Sequence, residues 1–205
     1  LAACCMGTMT SCSDFLDASN KSNVTAKQSF ATKEGLNNLV NDAYQHLQNV
    51  YAAPLFTSCF SAGTDMYADA RNKMNEALNT YETLTPENTD IKNLYTYLYS
   101  GIRAANSVSY YAQTAQVDDK TKSQLIGEAR VLAAYEYYLL VNNFGGVPIM
   151  KDFLTTADTG YPKSSAADVY AYIISELEDV ISKNVLQAST ATKGGGRISQ
   201  ETAKA

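Results

Sequence analysis

The sequence has 205 residues, 16 Lys and Arg against 21 Asp and Glu for a net charge of -5, and 45% apolar content, enough for one good-sized core or for part of a larger domain. Its cationic residues are scattered, with no stripe able to neutralise a phosphate backbone, which argues against nucleic acid as a partner; the apolar content argues against a disordered chain. Aromatic usage is lopsided, with 15 Tyr and 6 Phe but no Trp, and a tyrosine joins a flat apolar face to a hydroxyl in a way that suits helix packing and sugar stacking alike.

The chain opens with "LAACCMGTMTSCSDFLD", a small, weakly apolar run that ends at a cysteine and turns polar. That is the pattern at the end of a bacterial lipoprotein signal, where the cysteine is acylated and becomes the first mature residue. Residues 1–12 are expected to be a signal remnant, with Cys12 the lipidated residue. Cys4, after "LAA", competes for the role on its small neighbours, whereas the acidic "SDFLD" behind Cys12 suits the start of an exported chain. Residues 13–29 are expected to form a polar tether. No stretch reaches the roughly 18–20 apolar residues of a spanning helix, so membrane association would run through lipid. A sequence that starts at Leu1 and stops just after a helix start at Ser199, with Glu201 behind it, is expected to be a piece of a longer one.

Thr32 is placed to cap a helix with Glu34 in its first turn, and Leu36, Leu39, Val40, Ala43, Leu47 and Val50 then recur at spacings of three and four. From Ala52 to Glu87 the sequence is rich in Asn, Thr, Ser and Gly between Pro54 and Pro86. It reads as a long, partly ordered excursion with a short helix around 70–78, of the kind that carries binding residues on a rigid scaffold.

A second long helix is expected from Asp90, marked by Ile91, Leu94, Tyr95, Leu98, Ile102, Ala105, Ser109 and Ala112. A turn at 117–121 leads to a third, in which Ile126, Ala133, Tyr137, Leu140 and Phe144 form one face. Leu125, Ala129, Leu132 and Leu139 widen that face until little polar surface is left, the mark of a central helix. Gly145 and Gly146 stop it, and Pro148 holds the exit extended. Ser165 and Asp168 form a capping box ahead of Val169, Ile173, Leu177, Val180 and Ile181, and "STATKGGGR" links to a fifth helix. Paired helices without alternating strand residues define an all-α, solenoid-like array. No clean repeat of roughly 34 residues on the tetratricopeptide pattern is present.

Patterns that carry chemistry are weak. "GGG" at 194–196 lacks the preceding strand and the following Lys-Ser or Lys-Thr of a phosphate loop, so no cofactor is implied. His46 sits beside Leu47 on a helix with no serine or cysteine motif to serve. Cys59 stands apart from Cys4, Cys5 and Cys12, giving neither zinc spacing nor a disulfide framework, and no metal is expected. Asp65 and Asp69, or Glu176 and Asp179, place two carboxylates on one helical face, a spacing common on solvated helices. Residue chemistry therefore favours a binding or interaction module over an enzyme.

Several segments occur in a telling order: "SCSDFLD"; "LYTYLYSGIRAAN", with Tyr99, Ile102, Ala105 and Asn106; "GEAR" at 127–130; "FGGVP" at 144–148; "YPKSSAADVYAYIISELEDV"; and "GRIS". Together they resemble the N-terminal half of the SusD/RagB family, surface lipoproteins that capture nutrients for an outer-membrane transporter. Tyr95 stands where tryptophan is common in that pattern, and Ala133 and Lys163 replace arginines often found there.

The resemblance implies a tetratricopeptide-like helical domain over 30–205, incomplete at its C-terminal end, in which Tyr135, Tyr137 and Tyr138 are mainly packing residues. Its helical layer would face a SusC-like TonB-dependent transporter. The implied function is a cell-surface, lipid-anchored outer-membrane protein that captures oligosaccharide, with Tyr67, Asn72 and Tyr81 of the excursion as candidate contacts. Two alternatives keep the architecture: a RagB-like peptide binder, and an interaction scaffold that gates the transporter without touching ligand.

Overall fold

Each long helix begins where a side chain binds the free N–H groups of its first turn. In the computed structural model, which describes residues 26–52, 54–67, 76–156, 160–189 and 196–205, the order is α1 (Ala26–Ser29), α2 (Lys33–Tyr51), a π-helical turn (Thr57–Ser61), α3 (Glu76–Thr80), α4 (Thr89–Ala112), α5 (Asp119–Phe144), α6 (Ala166–Lys183) and α7 (Gln200–Lys204). No β-strand occurs among the described residues, so the all-α class holds.

The expected caps are in place. Thr32 Oγ1 accepts from the Gly35 N–H at 3.1 Å, Ser199 Oγ from the Thr202 N–H at 3.1 Å, and Ser165 and Asp168 form the reciprocal capping box. Two caps differ from expectation. Asn88 starts α4 by accepting from Asp90 and Ile91, and Asp118 starts α5 inside the expected turn by accepting from the Thr121 N–H at 2.9 Å. Both are short polar side chains that satisfy orphan donors, the property that favours them at this position. The end of the expected tether also departs from irregularity: Ala26–Ser29 forms one helical turn, and Phe30 behind it packs its ring on Tyr111, with centroids 4.8 Å apart.

The helices form a layer in which α2 packs on α4, α4 on α5, and α5 on α6, while α2 also reaches α5. Paired contacts give their directions. Tyr95 meets Phe144 and Tyr99 meets Tyr137, so α4 and α5 are antiparallel; Tyr44 meets Glu128 and Tyr51 meets Tyr135, so α2 and α5 run parallel. One apolar cluster joins Leu36 and Val40 of α2, Leu98 and Ile102 of α4, and Leu132 and Leu140 of α5. Helix α5 is central, as its wide apolar face implies.

Tyr137 is fully buried, and its hydroxyl accepts from Met150 N at 2.7 Å and donates to Met150 O at 3.2 Å. Gly145, at φ 69°, lets the chain leave α5 through a left-handed conformation. Tyr99 Oη then donates to Pro148 O at 2.7 Å, and Asn106 Nδ2 to Met150 O at 2.8 Å. The exit segment after "FGGVP" is thereby pinned to two helices.

Two buried carboxyls hold the layer differently. Glu128 receives Arg197 and Tyr44. Glu136 is fully buried on α5 with neither oxygen hydrogen-bonded, and it lies over Gly101 of α4, where a Cβ would collide with its carboxyl group. Burial holds the Glu136 carboxyl well above the usual carboxylate range.

Candidate functional site

The excursion leaves the end of α2 and returns at Asn88. Within it, the π-helical turn packs against α4 and α3, and Phe56 at its start meets Tyr51 at the C-terminal end of α2. The expected helix around 70–78 is realised as α3 at Glu76–Thr80; residues 70–75 and Asn72 lie outside the described residues.

Tyr81 follows α3, its N–H bonded to Ala77 O at 3.0 Å, with φ at 62°. A non-glycine residue pays roughly 1–2 kcal/mol for this left-handed conformation, so surrounding contacts must hold it. The tip of its side chain lies against Gly63, itself at φ 74°, where any Cβ would run into the Tyr81 hydroxyl. The ring remains 58% exposed.

Between Tyr81 and the last turns of α5 lies a cleft of about 370 Å³, lined by Tyr81, Ser58, Cys59, Asn142, Asn143 and Phe144 among others. The Asn142 and Asn143 amide nitrogens donate to Tyr138 O and Leu139 O one turn back, at 2.7 and 2.8 Å, which fixes both side chains. Asn142 Oδ1 accepts from the Tyr170 hydroxyl at 3.1 Å. Asn143 Oδ1 meets no hydrogen-bond donor among the described residues. The Cys59 thiol on the opposite wall is pushed up to about 11 by burial and by the neighbouring Asp90.

Aromatic side chains gather at the end of α2 and on the exposed face of α5 that carries Asn142. Tyr135, Tyr138 and Asn142 recur at three and four along one exposed face of α5, and the two rings lie 6.1 Å apart at 22°. The Tyr51 and Tyr135 hydroxyls bond to each other. Tyr51 also faces Phe56 at 5.4 Å, and Phe56 stacks on Phe60 at 5.3 Å. Burial, and then the bond to Tyr135, raises the Tyr51 phenol above the usual tyrosine range.

This corrects one expectation from the resemblance: of the three α5 tyrosines only Tyr137 is a packing residue, while Tyr135 and Tyr138 are 40% and 46% exposed. The sequence carried the signal, because positions 135, 138 and 142 share a helical face that excludes 137. Of the named candidate contacts, Tyr81 lines the cleft. Tyr67 is 39% exposed at a turn closed by its N–H to Thr64 O and does not line the cleft. Cys12 and Cys4 lie outside the described residues.

The other candidate chemistries resolve into structure. Glu176 and Asp179 are both bound by Arg130, at 2.6 and 2.5 Å, and Lys183 adds a bond to Asp179 at 2.7 Å. That carboxylate pair is a clasp between α5 and α6. His46 Nε2 sits 3.8 Å from Asp42 Oδ1 on its own helix. Asp65 is described but Asp69 is not. Among the described residues no three His, Cys, Asp or Glu side chains are grouped to hold a metal ion, and no helix is long and apolar enough to cross a membrane.

The fold and cleft define a helical scaffold that presents aromatic side chains on its surface. Residues 14–195 match the SusD-like family described as starch-binding and associating with the outer membrane, and the chain belongs to that family. It is 28% identical over 190 residues to SusD-like protein P38 of Formosa agariphila, covering 90% of this chain and 36% of that protein. Its fold is similar to that of surface glycan-binding protein A from Bacteroides uniformis, with a TM-score of 0.70 and 26% identity over 83% of this chain and 39% of that one. A laminarin-binding SusD-like protein matches with a TM-score of 0.69 and 22% identity, over 82% and 37% of the respective chains. The chain thus spans little more than a third of the length of these relatives.

Proposed function

We propose that the protein is a cell-surface glycan-binding lipoprotein that captures oligosaccharides and delivers them, without turnover, to a SusC-like TonB-dependent outer-membrane transporter. The observation that carries the reading is the Tyr81 cleft: an exposed residue in a costly backbone conformation lines it together with two immobilised asparagines, one of which, Asn142, shares an exposed face of α5 with Tyr135 and Tyr138. Flat rings offer apolar faces to the C–H faces of a pyranose, and fixed amide and hydroxyl groups meet its hydroxyls. The cleft is shallow and partly apolar, which suits capture followed by release. Family membership supports the glycan and outer-membrane parts of this reading, as do the names of the glycan-binding relatives. Acylation at Cys12 would supply the anchor, and the exposed helical layer would face the transporter.

The test is calorimetry on the intact protein against neutral oligosaccharides and peptides, with Tyr81→Ala beside the wild type. Saturable oligosaccharide binding, weakened about tenfold in the variant, or about 1.4 kcal/mol, is the expected result. Hydrolysis of the oligosaccharide would sink the binding-protein reading. Binding of peptides alone would move the protein to the peptide-capturing branch, and binding of neither would leave a transporter-gating scaffold.

A further inference from the structure

A second groove, of about 670 Å³, lies on the other side of the Tyr95–Phe144 ring contact from the Tyr81 cleft. Its floor is one face of α4, with Tyr95, Tyr99 and Arg103 at successive spacings of four, and Pro148, Met150 and Tyr161 form its wall. The floor is rigid. Tyr95 packs edge-on to Phe144 at 5.1 Å and tilts against Tyr99 at 4.7 Å, and the Tyr99 hydroxyl is fixed on Pro148 O.

Among the described residues Arg103 is the only ionised side chain lining this groove, in a chain whose net charge is -5. The other arginines with described surroundings meet carboxylates: Arg130 has Glu176 and Asp179, and Arg197 has Glu128. Arg103 is exposed, stacks on the Phe153 ring at 5.3 Å, and makes no ion pair or hydrogen bond among the described residues. Asp152 lines the neighbouring cleft below it, and Asp42 another, yet neither comes within ion-pair distance. The contact with Phe153 is made through the face of that ring, and the guanidinium donors meet no acceptor among the described residues. A guanidinium edge is matched in geometry by a carboxylate, which accepts two parallel N–H···O bonds.

We propose that this groove is a separate subsite for a carboxylate-bearing sugar, a uronic acid residue of an oligosaccharide, with Arg103 on the carboxylate and the exposed Tyr95 ring under the pyranose. The inference rests on the saccharide-binding reading for the class of ligand, but it uses different residues. A peptide carboxylate would satisfy Arg103 equally; the tyrosine-walled floor beside it favours the ring of a sugar.

The experiment measures binding of an oligogalacturonate and of the neutral galactose oligomer of the same length to the intact wild-type protein and to Arg103→Ala, Arg103→Lys and Tyr81→Ala, with circular dichroism confirming that each is folded. The wild type is expected to bind the acidic oligomer at least tenfold more tightly than the neutral one. Arg103→Ala should abolish that preference, Arg103→Lys should restore only part of it, and Tyr81→Ala should weaken both oligomers while leaving the preference intact. Equal binding of the two oligomers by the wild type, an unchanged preference in Arg103→Ala, or competition by an acidic peptide but not by oligogalacturonate would each overturn the proposal. Loss of neutral binding in Tyr81→Ala with no acidic preference anywhere would leave the first cleft standing and remove the second.

Discussion

Arg197 grips Glu128 with two nitrogens, Nε at 2.6 Å from Oε1 and Nη2 at 2.8 Å from Oε2, while the Tyr44 hydroxyl donates to Oε1 at 2.5 Å. Glu128 is only 2% exposed. The pair lies 69 residues apart in sequence and ties the "GRIS" segment to the "GEAR" turn of α5. Replacing Arg197 with methionine should lower stability by about 3–5 kcal/mol, because it strands a buried carboxylate. The double variant Arg197→Met, Glu128→Gln should recover much of that loss. Urea unfolding midpoints of the four proteins in the cycle check this; additive losses would show that the two residues act independently.

Glu136 should behave oppositely. Its carboxyl has no hydrogen-bond partner and no exposure, so Glu136→Met, close in volume, should stabilise the protein by about 1–3 kcal/mol at neutral pH. The sign of the pH dependence follows from the raised folded-state value. In the unfolded chain the group ionises near its ordinary value, whereas the folded protein keeps the proton. Wild-type stability therefore falls as pH rises above about 4.5 and stops falling once the folded group itself ionises. The methionine variant lacks this component, so its advantage should be smaller at pH 4 than at pH 8. Thermal unfolding across that range tests it, and an advantage that grows toward acid would refute the assignment.

Cys59 should be a sluggish thiol. With its ionisation pushed up to about 11, its thiolate fraction at pH 8 is about a hundredfold below that of a free cysteine. Peptide mapping after brief alkylation should find Cys59 largely unmodified in the folded protein and fully modified in urea. Rapid labelling of the folded protein would mean that this wall of the Tyr81 cleft opens readily.

Much of this architecture was legible before any coordinates. Thr32, Ser165, Ser199 and Gly145 act on atoms within four residues of themselves, so capping rules found them, and the apolar stripes of α2, α4 and α6 are facts of local periodicity. What escaped depends on residues distant in sequence. Nothing near Tyr81 announces that its hydroxyl will come to rest on Gly63, a residue of the turn before α3. Nothing near Glu136 announces that a charged residue type is buried, because the space for it is made by Gly101 on another helix. "GEAR" and "GRIS" were visible as words, but the ion pair joining them was not. Within the candidate site, Tyr81 could be singled out from its place in the excursion, while Tyr135, Tyr138 and Asn142 were hidden by reading all of the α5 aromatics as core.

As the chain is synthesised, α2 emerges long before Arg197, whose nitrogens donate to Asn37 and Asn41, 160 and 156 residues earlier. Until residue 197 is made, the Glu128 carboxylate between α2 and α5 lacks its guanidinium partner. The arrival of residue 197 then closes a clasp over the first long helix and the central one at once. A chain interrupted before that point would keep the sequences of α2, α4 and α5 but would have to bury or expose an unpaired carboxylate at the seam between α2 and α5.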